Sequence, residues 1–341
     1  MSVIRRAGRR VQFREYGKEG MPDTVVYIRS QPRYGDQVVA FPTLYQLKQW
    51  WPSQRLRVVA RDDVGRYYTS LPWVDEFVRV SSFREHVRCL PARANASINL
   101  HHSSERYGLV SLLRRPALRM GFRNNRLSDG AWTHSHPKNI GEYIGLANLR
   151  LLGTYRSFDP HQAALNCFRE IAEQRKRPVA PVDVVMIPGG GSGPFKRWSI
   201  AHYIRLADLL KTSIGRGTQF SFVLGPDEAA ELELINSLRR PEFRIEYCRT
   251  IPELSALMLR ARLIVANDCG PSHIAQGVGV PYVGVFNESN PEWFWQRPGA
   301  VDVVPDVVGA GINSIPPEKV LAACLAAIAA DPVERTELAA A

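Results

Sequence analysis

The sequence predicts an α/β protein of two doubly wound parallel-sheet units, and three observations predict it. Short apolar runs alternate with helical stretches along most of the 341 residues, which is the pattern of strands wound with helices. The alternation breaks between Tyr155 and Pro181, where Arg177-Pro178-Val179-Ala180-Pro181 ends a helix, because proline cannot continue one. Polar turns rich in glycine follow several of the apolar runs, at the strand ends where open α/β sheets present ligand-binding groups. The expected organisation is an N-terminal domain over 1–160 with a basic extension, a linker helix and boundary over 161–180, and a C-terminal domain over 181–341 with a terminal helix.

In the first half, Thr24 to Arg29 is β-branched and reads as the first strand, with a loop from Ser30 to Asp36. A helix is expected from about Asp36 to Trp51, with Val39, Ala40, Leu44, Leu47 and Trp51 at helical spacing and Pro42 tolerated near its start. Asp36 at its head is either a cap or a carboxylate presented at the sheet edge. Further strands are expected at Leu56–Ala60, Glu76–Val80, Ser97–Leu100 and Ala117–Met120, with helical stretches at Val64–Ser70, Phe83–Cys89 and Glu105–Arg114. His101, His102 and Ser103 follow one of these strands. Adjacent histidines on a strand face opposite ways, so polar residues of a substrate cleft are favoured over a metal site. Asn124 to Lys138, with Trp132, His134 and His136, reads as a loop over that cleft.

The second half opens with a strand at Val182–Ile187 and the loop Pro188 to Trp198, whose Gly189, Gly190, Gly191 and Gly193 let backbone amides approach a ligand. Lys196 adds a point charge suited to phosphate. A Walker ending and a dinucleotide fingerprint are both absent. Ile200–Ser213 is an amphipathic helix, Gln219–Leu224 a strand ending in Gly225-Pro226-Asp227-Glu228, and Phe243–Tyr247 the next strand. Thr250 and Glu253 form a capping box with Pro252 near the helix start. Leu263 to Phe286 then reads strand, turn, short helix, strand, the turn being Asn267-Asp268-Cys269-Gly270-Pro271-Ser272-His273. Open amides of Ser272 and His273 are expected there as an anion site, with Asp268 and His273 as polar groups for a nucleotide.

Composition narrows the class. No apolar run reaches the ~18–20 residues a membrane span needs, and residues 1–18 have no apolar core of a secretory signal, so a cytoplasmic protein is expected. Cys89, Cys167, Cys248, Cys269 and Cys324 are scattered without a Cys-x-x-Cys pair, against a disulfide framework or thiolate metal site. Residues 1–160 hold 26 Lys+Arg against 13 Asp+Glu, a net +13, and residues 161–341 hold 18 against 20, a net −2. A one-signed field in one half attracts an anionic partner: nucleic acid, an acidic membrane surface or a phosphorylated glycan. Part of the excess belongs to Arg6, Arg9, Arg10 and Arg14 of the N-terminal arm.

The ordered set Gly35-Asp36, Lys196-Arg197-Trp198, Gly225-Pro226-Asp227-Glu228 and Asn267 to His273 resembles the ADP-heptose:lipopolysaccharide heptosyltransferases, glycosyltransferase family 9. The resemblance spans about Val25 to Ala329, with its specific part C-terminal. It implies the GT-B architecture, two facing Rossmann-like domains with a cleft between them, and an inverting, metal-independent transfer that needs no cofactor beyond the ADP-sugar substrate. It makes Asp36 the general base and Lys196 the group that holds the diphosphate and stabilises the leaving group. It assigns the donor to Gly191, Ser192, Lys196, Glu228, Asp268, Cys269, Gly270, Ser272 and His273, and the acceptor to the first domain. His101, His102 and Arg123 are the expected acceptor residues. Cys269 stands where the family has threonine.

The expected function is therefore transfer of a sugar, foremost heptose from ADP-heptose, to a lipopolysaccharide core or another glycan, with peripheral association at the cytoplasmic face of the inner membrane. The alternatives are a nucleotide-sugar epimerase or a non-catalytic sugar-nucleotide binder of the same fold. A nucleic-acid partner is not expected, because no basic and aromatic recognition module accompanies the high pI of about 9.6.

Overall fold

A computed structural model describes residues 24–29, 31–102, 105–124, 127–180, 182–191 and 193–330. The basic extension with Arg6, Arg9, Arg10 and Arg14, and the expected site residues Ser103 and Ser192, lie outside the described residues.

The first sheet contains β1 (Thr24–Tyr27), β2 (Leu56–Ala60), β3 (Glu76–Arg79), β4 (Ala96–Asn99), β5 (Leu118–Arg123) and β6 (His134–Pro137). Its order is β3-β2-β1-β4-β5-β6, and every pairing is parallel. Between the strands run α1 (Tyr34–Val38), α2 (Phe41–Trp50), α3 (Phe83–Cys89) and α4 (Glu105–Arg114). Then come α5 (Ile144–Gly153) and α6 (Pro160–Glu173), the latter capped by the Asp159 carboxylate and started by Pro160. Val25 and Val26 of the central strand are fully buried, as expected for a strand covered on both faces.

The second sheet contains β7 (Val184–Ile187), β8 (Phe220–Leu224), β9 (Phe243–Tyr247), β10 (Leu263–Asn267), β11 (Tyr282–Val285) and β12 (Ala300–Val303). Its order β12-β11-β10-β7-β8-β9 is again wholly parallel. Its helices are α7 (Ile200–Ile214), α8 (Ala229–Ser237), α9 (Ile251–Leu259), α10 (Ser272–Gly277) and α11 (Pro317–Ala329). The capping box of Thr250 and Glu253 starts α9 as expected. Trp198, Tyr203 and Phe222 fill the core of this sheet.

Three expectations are corrected. The helix expected from Asp36 to Trp51 is two helices, α1 and α2, separated at Val39 and Ala40. Pro42 lacks the N–H that would bond Val38 and its ring crowds that carbonyl, so the chain turns, with the Ala40 amide on the Gln37 carbonyl at 3.0 Å. The loop expected over 124–138 contains β6, which pairs with β5 through Phe122 and His136. As an edge strand of sequence His-Ser-His-Pro, it is held by the backbone ladder and shows no apolar alternation. The compact units also divide the chain elsewhere than residue 160. Among the described residues, those up to 32, those of 47–138 and those of 150–157 form one, and those of 33–46, 139–149 and from 158 onward form the other. Hence α2 and α5 each begin in the second unit and end in the first, and Asp36 belongs to the second.

Candidate functional site

In each sheet the strand order reverses between two neighbours, β1 and β4 in the first and β7 and β10 in the second. Loops at the carboxyl ends of such strands diverge and leave room for a ligand. In the second unit these loops carry Gly189 to Lys196 after β7 and Asp268 to His273 after β10.

The two loops are tied together by an ion pair, with the Lys196 ammonium donating to Asp268 Oδ2. Their side chains remain 21% and 11% exposed, so the pair is open enough for an anion to compete for the ammonium. Pro194–Lys196 forms a short 3-10 turn entered through Gly193 at φ 129°, a backbone conformation that favours glycine. Gly190 is equally constrained by space, since a Cβ there would lie 2.8 Å from Arg197 Cγ. Gly191 has no such neighbour within 4 Å. Glu228 is buried after β8, where its Oε2 accepts from the Gly225 amide at 2.8 Å and its Oε1 pairs with Arg197 Nη2 at 3.2 Å. Its carboxylate reaches the β7 loop as well, because a Cβ on Gly189 would sit 3.1 Å from Oε1.

The expected anion site at the Ser272 and His273 amides is corrected. Those N–H groups already donate to the Cys269 and Gly270 carbonyls, each at 3.2 Å, because Gly270-Pro271 folds into a turn that caps α10 from within. The Ser272 hydroxyl also donates to the Cys269 carbonyl, at 2.7 Å. Cys269 is buried and its thiol is pushed up to about 12 by that burial, so it is a neutral group at ordinary pH. Asn267 has a structural role, bridging Tyr203 Oη and the Pro188 carbonyl at 3.0 and 2.7 Å.

The second unit brings α1, which carries Asp36, to this turn. Residue Arg33, not Asp36, occupies the cap position of α1, so of the two readings left open for Asp36 the helix cap is the one the structure does not show. Asp36 lies in the first turn and is buried, 8% exposed. The helix packs on the β10 turn at Gly35, where a Cβ would lie 2.9 Å from His273 Cδ2 and 3.1 Å from Nε2, and the Tyr34 ring lies against Gly270. Only glycine at both positions allows this approach.

His273 is the hub of the turn. Its Nδ1 lies 3.1 Å from Tyr143 Oη and 3.4 Å from Gln276 Nε2. Tyr143 stacks on His273 and on Trp295, and Trp293 lies against the imidazole. Burial drives the imidazole pKa down to about 4, against the opposing pull of Asp268, so His273 is neutral near pH 7.

In the first unit the expected acceptor residues lie at the ends of β4 and β5. His101 is turned toward Tyr107, at 5.7 Å between rings, and burial lowers its pKa. His102 stacks on Phe122 at 3.7 Å, and Arg123 is exposed at the end of β5. The two histidines therefore diverge, and among the described residues no group of three or more His, Cys, Asp or Glu could hold a metal ion.

Sequence reasoning missed Tyr143, Gln276, Trp293, Trp295 and the Glu228 partner role of Arg197. The Trp293-Phe294-Trp295 run in an otherwise polar segment is the one readable signal, because such aromatic area is rarely left in water. Nothing in the local pattern around Tyr143 announces its partner 130 residues away.

A family model described as glycosyltransferase family 9 (heptosyltransferase) matches residues 115–302, more than half of the chain. Lipopolysaccharide heptosyltransferase 3 of Escherichia coli K12 is 22% identical over 298 residues, which cover 80% of this chain and 84% of that protein. Lipooligosaccharide heptosyltransferase 2 of Haemophilus influenzae is 28% identical over 177 residues, 46% of this chain and 49% of the relative. The match thus spans about half the length of that relative. The solved structure of E. coli ADP-heptose lipopolysaccharide heptosyltransferase II has a TM-score of 0.59 at 19% identity, covering 90% of this chain and 98% of its own. That likeness, with the two parallel six-stranded sheets, gives the fold as GT-B.

Proposed function

The chain belongs to glycosyltransferase family 9, and on that premise we propose that it transfers a heptose from ADP-heptose to a lipopolysaccharide core or another glycan. The displacement is inverting and uses neither metal nor cofactor. The observation that carries this reading is the packing of α1 on the β10 turn, which puts a buried carboxylate, Asp36, in the same compact unit as the Lys196–Asp268 pair. Asp36 removes the proton of the acceptor hydroxyl as it attacks the anomeric carbon, and the electrons of the breaking bond leave with ADP. Lys196 exchanges Asp268 for the diphosphate and stabilises the departing charge. Glu228, held at the β8 end, accepts from hydroxyls of the nucleotide, while Gly191, Cys269, Gly270 and Ser272 line the donor position. Ser192, outside the described residues, belongs to the same loop.

His101, His102 and Arg123 bind the acceptor, an assignment supported by the cationic first half. Peripheral association with an anionic membrane surface from the cytoplasmic side is part of the proposal. The stripe of exposed Leu109, Leu112 and Leu113 on α4 supports it, with Arg106 and Arg115 beside it, since apolar and basic groups together suit an anionic interface. Among the described residues no helix is long and apolar enough to cross a membrane.

The test is release of ADP from ADP-heptose in the presence of a heptose-deficient lipopolysaccharide acceptor, with the product mass measured. A gain of one heptosyl unit supports the proposal. ADP-heptose binding without transfer to any glycan would favour the sugar-nucleotide binder, and conversion of the free nucleotide sugar would favour the epimerase.

A further inference from the structure

The partners of His273 determine which of its nitrogens carries the proton. Gln276 Oε1 accepts from the Trp295 amide at 2.6 Å, and that amide can only donate. Gln276 Nε2 faces the Trp293 carbonyl at 3.2 Å, and that carbonyl can only accept. The orientation of the Gln276 amide is thus set from both ends, and its NH2 has two hydrogens for two acceptors, the Trp293 carbonyl and His273 Nδ1. A protonated Nδ1 would set one N–H against the Gln276 NH2, whereas a bare Nδ1 accepts from it at 3.4 Å and from the Tyr143 hydroxyl at 3.1 Å, which is the arrangement assigned to it. A neutral imidazole with a bare Nδ1 carries its proton on Nε2. That nitrogen is on the ring edge packed over Gly35, one residue before Asp36.

We propose that Gln276 and Tyr143 form a tautomer lock, holding His273 as a fixed Nε2–H donor directed at an oxygen of the nucleotide-sugar ligand. The identity of the ligand rests on the reading above, and the lock itself does not. His273 cannot serve as the base of the site, because its only lone pair is occupied by two donors. The positioning is local and inexpensive to build: Gln276 follows His273 by three residues on α10, so the two side chains lie on one helix face, and the Trp293 to Trp295 segment fixes the amide. Asp268 and Lys196 from the two loops act electrostatically on the imidazole, and Tyr143 beside α5 touches it.

The experiment is a long-range proton–nitrogen spectrum of the full chain labelled with nitrogen-15 histidine, at neutral pH, with His273 assigned by its substitution with Gln. The expected spectrum has a bare Nδ1 and a protonated Nε2 in the protein without ligand. Gln276→Glu replaces the donor by an acceptor and should move the proton to Nδ1 or charge the ring. Tyr143→Phe should keep the Nε2–H tautomer through Gln276, with the Nδ1 signal shifted by the loss of one donor, and should raise the Michaelis constant for the donor about 3–10-fold. A protonated Nδ1 in the wild type overturns the lock, and so does a Gln276→Glu spectrum identical to the wild type. Addition of ADP, with binding followed independently by thermal shift, reads the second half. Movement of the Nε2–H signal supports the donor role, whereas thermal stabilisation with that signal unmoved overturns it. Absence of any ADP binding with the tautomer as described would leave the lock standing and refute the nucleotide-sugar reading instead.

Discussion

The two sheets share one strand order and the same reversal at their centres, yet the groups at their carboxyl ends differ in kind. At the second, polar groups are held by specific partners: the charged Lys196 by Asp268, the charged Glu228 by Arg197 and the Gly225 amide, and the neutral His273 by Tyr143 and Gln276. At the first, His101 and His102 are held by rings, Tyr107 and Phe122, and Arg123 is exposed. Prearranged charge and hydrogen-bond donors suit a ligand whose own charge is fixed, such as a diphosphate. A tilted and a stacked imidazole beside an exposed guanidinium are what the proposed glycan acceptor would meet at the first. On the proposed reading one backbone plan serves two kinds of recognition, because loops beyond the strands carry chemistry and the strands carry stability.

The largest expected effect asks which edge supplies the base. Asp36→Asn should lower turnover by about 10²–10⁴-fold, the range of a general base, while ADP still stabilises the variant against heat. Because Arg33 holds the cap position, the substitution should leave the fold intact. Retention of more than about a tenth of wild-type turnover would transfer the role to the first edge. His101, kept neutral by burial, and His102 would then be substituted next.

The second sharpens the contrast in burial. The folded His273 pKa of about 4 lies below its ordinary 6.5, so the unfolded chain binds the proton first as pH falls. Stability from this group is present above about pH 6.5 and is lost as pH falls toward 4, by about 3 kcal/mol. Urea unfolding of wild type and His273→Gln at pH 7 and pH 4 should show the wild-type advantage shrinking by that order. An advantage independent of pH would mean that the imidazole is not desolvated as the structure has it.

Lys196→Ala comes third. Loss of a charge-assisted contact to the diphosphate should weaken ADP binding by about 1.5–3 kcal/mol, roughly 10- to 150-fold. The first-edge change Arg123→Ala should leave ADP affinity within twofold of wild type, so equal losses in the two variants would erase the distinction between the edges.

The smallest effect concerns the basic and apolar surface of the first unit. Leu109→Ser with Leu113→Ser should reduce sedimentation with phosphatidylglycerol vesicles about tenfold or more, since each buried leucine is worth roughly 1.5–3 kcal/mol in full. Raising salt should weaken the remaining attachment, as exposed charges are screened over about 8 Å at physiological ionic strength. Wild-type protein that pellets equally with phosphatidylcholine would show that charge takes no part.

The sequence by itself determined the class of the fold and most of its elements, because apolar runs of period two and stripes of period 3.6 are written locally. The strands Leu56–Ala60 and Phe243–Tyr247 and the helices Phe83–Cys89 and Glu105–Arg114 have the bounds their patterns predict. It also placed Lys196, Glu228 and Asp268 at strand ends, since turn chemistry follows glycine and proline. Tertiary structure alone decided which of these groups meet. Edge strand β6 carries no apolar alternation and exists through pairing with β5. The amides of Ser272 and His273 look open in one dimension and are closed by a turn whose carbonyls approach only in space. Gly35 reaches the β10 turn, and His273 gains Tyr143, through packing across more than a hundred residues. Such contacts depend on shape and on the absence of a side chain at Gly35 and Gly270, and no local periodicity encodes a partner that far along the chain.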